Sequence, residues 1–339
     1  MVEVGKIGDK TLVLDGRYIS IFRGGTLMNK WAYMGYLLPD GNAYIYRRKV
    51  HIKELSGKTL TDYQIKIVLG AGDPIFAHAR SAGEDIRFCY HPEAEMIPHW
   101  IEKYDPDAEE AIIWVKVPEI PANSEIEIYM YYGNPEVASE SDGEATFEFF
   151  DDFEEMSLDT EKWGERGSGS YVISNSIIEM DAVAEEDYHI TSVPIFKRNK
   201  AIRAKFKFGY QSASSFVYKA IGFTQADNLQ YGSNHVSILS DVRDTELKHN
   251  IMIDGTRYRY DLSPAIDAFD IWYVGEVIWA ETFTKAIADS SESESSYTPS
   301  PDLYADIWVQ GNADKVYVDW ILVRKYTEPE PSVSVGAEE

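Results

Sequence analysis

The sequence predicts an all-β protein: two antiparallel β-sandwich domains behind a short β-rich N-terminal extension. Three observations carry this. Aromatic residues make up 13% of the chain, with 23 Tyr against 14 Phe and 8 Trp, a bias toward side chains that fit a pleated surface. Apolar and polar residues alternate in short runs bounded by Gly, Pro, Asn and Asp, the pattern of half-buried strands between turns. No stretch keeps the 3.6-residue period of a long amphipathic helix. At 339 residues the length fits about two domains of roughly 150 residues each.

Residues 1–43 hold bursts such as Thr11-Leu12-Val13-Leu14 and Tyr18-Ile19-Ser20-Ile21, punctuated by Asp15-Gly16, Gly24-Gly25 and Pro39-Asp40-Gly41. They read as short strands joined by turns. Leu12, Leu14, Ile19, Ile21, Leu37 and Leu38 are too apolar for a free tail. The extension is therefore expected to pack on another domain or chain, as an arm for self-association or assembly. From residue 44 the alternation strengthens: Tyr63, Ile65, Ile67 and Leu69 alternate with polar neighbours before Gly70-Ala71-Gly72. Residues 111–117 and 126–132 follow as strands, separated by Pro118 and Pro121 and closed by Gly133-Asn134-Pro135. The small, polar, turn-rich residues 133–146 mark a boundary, so 44–146 is the first domain. A second alternating block fills 147–327, with strand-like runs at 171–173, 201–208, 216–223 and 271–279, at sandwich spacing. Residues 289–301 (DSSESESSYTPSP) are expected to be a solvated loop. Residues 328–339 (EPEPSVSVGAEE) are expected to be an acidic C-terminal tail.

Charge and cysteine usage narrow the function. With 32 Lys and Arg against 57 Asp and Glu, the net charge is −25, which excludes a nucleic-acid grip through clustered basic residues. The one cysteine, Cys89, has no intramolecular disulfide partner, and its strand-like surroundings suggest a buried, inert thiol. Neither an export signal nor an apolar run long enough to span a membrane is visible. The chain then stays inside, derives from a trimmed precursor, or leaves as part of a particle such as a virion.

Residues 44–150 resemble the domain of unknown function numbered 2341, a β-rich extracellular module. The matching pieces are Tyr46-Arg47-Arg48-Lys49-Val50, Leu60-Thr61-Asp62-Tyr63-Gln64-Ile65, Asp85-Ile86-Arg87-Phe88, His99-Trp100-Ile101-Glu102, residues 113–118, residues 120–124 and residues 129–135. In that family a concanavalin A-like (laminin G-like) jelly roll commonly follows. The second half resembles one, opening on Phe149-Phe150-Asp151-Asp152-Phe153 and closing on residues 318–326. The resemblance implies a non-catalytic surface recognition or structural protein, glycan-binding or adhesive, on a cell surface or virion; it carries no established reaction. The competing class is a carbohydrate-active enzyme, a glycan hydrolase or lyase.

Candidate sites follow from chemistry. Lectin-like sandwiches include glycoside hydrolases that set Glu-x-Asp-x-Glu on one strand. Here Glu140-Ser141-Asp142-Gly143-Glu144 has that spacing but sits in the turn-rich boundary with a glycine inside, so an acidic linker is expected. The seven His offer no zinc-ligand spacing. In concanavalin A-like sandwiches the first and last strands run side by side and often share a calcium ion, which makes Asp152 and Asp319 candidate calcium ligands. The alternative is a pair of strand-end acids facing water or backbone amides. Sugars stack on exposed aromatic rings, so Tyr210, Tyr231, Tyr258 and Tyr260 are candidate glycan contacts. Alternation sets Tyr258 and Tyr260 on one face and Arg257 and Arg259 on the other; the alternative is that these tyrosines are half-buried cross-strand pairs. Trp100, Trp114, Trp163, Trp308 and Trp320 are expected in the core.

Overall fold

A computed structural model describes residues 35–183, 186–209, 218–225, 233–241, 246–311 and 315–339, and the backbone of four strands within residues 2–32. Those four strands, Val2–Ile7, Lys10–Asp15, Tyr18–Arg23 and Thr26–Ala32, form an antiparallel meander. The chain divides into two compact units. The first is residues 1–146 with residues 331–339, and the second is residues 147–330.

In the first unit, Leu60–Leu69 and Glu110–Ile120 pair over nearly their whole length, with His99–Asp105 on the far side of the latter. A second sheet orders Ser332–Glu338, Tyr46–Lys53, Glu125–Tyr132 and Arg87–Cys89. Alternation explains both sheets: Ile65, Ile67, Ile113 and Val115 from one meet Val50, Ile52, Ile128 and Met130 from the other in a single buried cluster. The expected acidic tail is thus the edge strand of this sheet. In Ser332-Val333-Ser334-Val335 the valines pack on the core while the serines face outward, a strand signal that the flanking Glu and Pro residues obscure. The tail is also tied by side chains: the Glu338 carboxylate lies 2.8 Å from His78 Nδ1 and accepts the Tyr132 hydroxyl at 2.6 Å. The Arg48 guanidinium donates to the Gly336 carbonyl at 2.8 Å.

The second unit is a two-sheet sandwich of jelly-roll type. One sheet carries, in order, Gly169–Ser174, Ile177–Ala182, Lys315–Lys325, Lys200–Phe208, Trp272–Trp279, Thr284–Ala288 and Ser291–Ser295, with Phe149–Asp151 also paired to Lys315–Lys325. The other orders Trp163–Gly167, Asp187–Phe196, Leu303–Gln310, Tyr218–Thr224, His235–Asp241, Lys248–Ile253 and Thr256–Asp261. Apolar side chains of both sheets, among them Phe206, Val277, Val318, Ile190, Ile221 and Ile307, form one core. The stretch expected as a solvated loop contains Ser291–Ser295, an edge strand in which Ser291 and Ser295 are buried while Glu292 and Glu294 are not; serine's small size lets it take the inward positions.

Candidate functional site

The seven-stranded sheet has one apolar face, in the core, and one polar face. Register fixes the polar face row by row. His189, Trp308 and Ala220 are cross-strand partners, and so are Thr191, Asp306, Gly222, Ser237, Asn250 and Arg259. Thr224, His235, Met252 and Arg257 form the next row. Small residues, Ala220, Gly222 and Ser237, occupy the middle, and large polar ones surround them. The result is a cavity of about 340 Å³ whose lining includes Asp187, His189, His235, Arg257, Asp306, Trp308 and Gln310. Gly222 is required by close packing of the strands: a Cβ there would come within 2.1 Å of the Val236 carbonyl.

The polar groups are ordered by one another. His189 Nδ1 lies 2.8 Å from Asp306 Oδ2, both side chains being 5% exposed. A carboxylate oxygen accepts, so Nδ1 carries the proton of this bond. The His189 ring stacks on Trp308 with centroids 5.3 Å apart and planes 11° apart, and Trp308 in turn stacks on Tyr218 at 6.1 Å. The Arg257 guanidinium lies 5.3 Å from the centre of the Tyr218 ring. Arg259 donates to Asp241 at 2.9 Å. Burial, reinforced by Arg257, pushes the His235 imidazole down to about 3, so it is neutral and its Nε2 accepts from the Asn250 amide at 2.5 Å. Burial raises the Asp187 carboxyl above the usual range, against the lowering effect of His189 and of the Trp308 indole N–H. His189 Nε2, Asp306 Oδ1, Ser237 Oγ and Gln310 Oε1 are buried atoms without a hydrogen-bond partner among the described residues. Such atoms are costly unless water or a ligand completes them.

Of the tyrosines singled out from sequence, Tyr258 and Tyr260 are described and do not line the cavity. Tyr258 and Tyr260 pack against the core, and Tyr258 stacks on Tyr297 at 3.7 Å. Alternation then turns Arg257 and Arg259, not the tyrosines, toward the cavity's face. Tyr210 and Tyr231 fall outside the described residues. Trp100, Trp114, Trp163 and Trp320 are buried, whereas Trp308 is only half-buried and lines the cavity.

Asp319, one of the two candidate calcium ligands, has a cation of the protein itself beside it. The first and last strands of the unit do pair, with Asp151 opposite Ile321. The register of Lys315–Lys325 against Lys200–Phe208 shifts between Lys205 and Phe206, leaving Asp319 as the extra residue of a bulge. Its carboxylate takes the Lys205 ammonium at 2.5 Å, so a cation already compensates it. Asp152 is half-buried, and burial, with Glu154 adding repulsion, raises its carboxyl above the usual range. Among the described residues no group of three or more His, Cys, Asp or Glu side chains is arranged to hold a metal ion.

The acidic run at the boundary is structural. Asp142 caps a four-residue helix, Gly143–Thr146, by accepting the Ala145 N–H at 2.8 Å, and Glu140 lies 3.1 Å from the buried Arg87. Cys89 is fully buried, and burial pushes its thiol up to about 12.

Residues 82–166 match the family described as "Domain of unknown function (DUF2341)". The match starts later than the resemblance placed it and runs past residue 146 into the second unit. No curated protein matches the chain. Solved structures similar to it include a prokaryotic β-1,3-1,4-glucanase (lichenase) derived from a mouse hindgut metagenome, 13% identical over 52% of this chain and 98% of that one, with a TM-score of 0.42. An endo-β-1,3-glucanase from Pyrococcus furiosus is 12% identical over 54% and 95%, with a TM-score of 0.44. The metal-free carbohydrate recognition domain of Emp46p is 8% identical over 48% and 88%, with a TM-score of 0.38. At such distances no residue's role carries over.

Proposed function

We propose that the second unit binds a saccharide in the cavity on its polar sheet face, as a non-catalytic recognition module exposed at a cell surface or on a virion. The observation that supports the reading most is the set of buried polar atoms on the cavity wall that lack protein partners. A saccharide supplies many hydroxyls in a small volume, and about 340 Å³ accommodates a sugar-sized ligand. The strong negative net charge fits an exposed, soluble surface. Titration calorimetry against a panel of oligosaccharides tests the reading: saturable binding that Trp308→Ala abolishes supports it, and a protein indifferent to the whole panel refutes it.

An enzyme is the second reading, favoured by the two carboxylates, Asp187 and Asp306, on one cavity wall. Release of shorter sugars during the same titrations would select it.

A role for the N-terminal strands in self-association is part of the proposal. Their register sets Leu14, Ile19 and Trp31 in one row and Leu12 and Ile21 in the next. Removing residues 1–34 and finding an unchanged oligomeric state by gel filtration would count against that role.

A further inference from the structure

Three features decide what kind of saccharide the cavity takes. The first is that the aromatic faces are already used. Trp308 lies between His189, at 5.3 Å and 11°, and Tyr218, at 6.1 Å and 25°, and the guanidinium of Arg257 covers Tyr218. With its neighbours stacked on it, the Trp308 ring has little free face to offer a sugar, so recognition must run on hydrogen bonds more than on stacking.

The second is the sign of those hydrogen bonds. Asp306 Oδ2 accepts the hydrogen bond that His189 Nδ1 donates, so in the neutral ring Nε2 is a lone-pair acceptor. Asp306 Oδ1 is an acceptor as well, and Gln310 presents its Oε1. Together they ask for a ligand that donates, as hydroxyl groups do. The third is charge: among the described residues the lining holds two carboxylates, Asp187 and Asp306, against one guanidinium, Arg257. A carboxylate or sulfate on the ligand would meet like charge in a buried setting, where repulsion is least screened.

We infer that the cavity selects a neutral, hydroxyl-rich saccharide, holding one of its hydroxyls on His189 Nε2, and turns acidic saccharides away. This rests on the saccharide reading above. His189 is then the specificity-determining residue, and Asp306 is a positioning residue that fixes the tautomer of the ring.

The test is calorimetry at pH 8 with neutral hexasaccharides, laminarihexaose, cellohexaose and mannohexaose, beside acidic hexagalacturonate. The expected result is that at least one neutral sugar binds about tenfold more tightly than the acidic one, since one favourable or repulsive buried contact is worth about that factor. His189→Phe, which keeps a ring against Trp308 but removes the acceptor, should weaken the neutral sugar about tenfold. Asp187→Asn should narrow the gap by improving binding of the galacturonate. Circular dichroism establishes that each variant folds; if His189→Phe does not, the wild-type comparison and Asp187→Asn still decide. Equal or tighter binding of the acidic sugar, or a folded His189→Phe protein that binds as wild type, overturns the inference and leaves saccharide binding standing. If nothing in either class binds, the saccharide reading itself falls.

Discussion

Deleting residues 331–339 should destabilise the first unit and leave the second alone. The deletion removes the edge strand Ser332–Glu338 from beside Tyr46–Lys53. Val333 and Val335 are half-buried on the core, and half of a valine's burial is worth about 1 kcal/mol each. The fully buried Tyr132 loses the Glu338 carboxylate that its hydroxyl meets at 2.6 Å, and a buried hydroxyl left unpaired costs about 1–3 kcal/mol. The paired Arg47 and Glu339 are partly exposed and add little. Together these come to about 4 kcal/mol, a large part of the 5–15 kcal/mol that typically holds a domain folded. For a unit of this size that is a fall of roughly 8–16 °C in melting temperature. Scanning calorimetry should show two transitions, one moving down in the truncated protein and one fixed. If neither moves, the last strand contributes nothing, and the packing argument for Val333, Val335 and Tyr132 is wrong.

Three more outcomes follow from buried or paired groups. Burial holds His99 at about 3, His235 at about 3 and His249 at about 4, below the ordinary histidine value near 6.5. The unfolded chain therefore binds more protons between these limits, so stability is full above about pH 6.5 and falls as pH drops, by about 1.4 kcal/mol per unit for each histidine; urea unfolding that gives equal stabilities at pH 7 and pH 5 would contradict this. Cys89, with its thiol raised to about 12, should resist a disulfide exchange reagent at pH 8 in the folded protein and react promptly in denaturant. Millimolar calcium and EDTA should each leave melting unchanged, because Lys205 already neutralises Asp319; a calcium-dependent rise that Asp319→Asn abolishes would show the ion pair to be a metal site.

Most strands were legible because period-2 alternation is local. Leu60–Leu69, Glu110–Ile120 and Glu125–Tyr132 each carry their own core face in their own residues. The last strand was hidden because Ser and Val alternate over only four residues beside Glu and Pro. The cavity was hidden for a different reason: His189 and Asp306 are 117 positions apart, and no spacing rule links them. A signal existed within each strand. Asp187-Tyr188-His189-Ile190-Thr191 and Asp306-Ile307-Trp308-Val309-Gln310 alternate cleanly between apolar residues and groups able to hydrogen-bond, yet both strands lie inside a sheet. An antiparallel sheet with one solvated face gives the same alternation, so the pattern marks the polar face and does not single out the cavity on it. At residues 257–260 the alternation expected from sequence is kept, and it sets Tyr258 and Tyr260 against the core and Arg257 at the cavity.

The second unit is inserted into the first, and this sets an order of events during synthesis. The ribosome completes residues 1–146, then makes all of residues 147–330, and only afterwards supplies the strand that finishes the first sheet. At 5–20 residues per second the interval is roughly ten to forty seconds. Throughout it Tyr46–Lys53 is an open edge on a nearly finished sheet, able to pair with the same edge of another nascent chain. The later unit has every strand it needs as it emerges, so the part of the polypeptide made first should be the part that folds last. A slowed or truncated translation product would then fail by edge-to-edge aggregation of the first unit while its neighbour is already native.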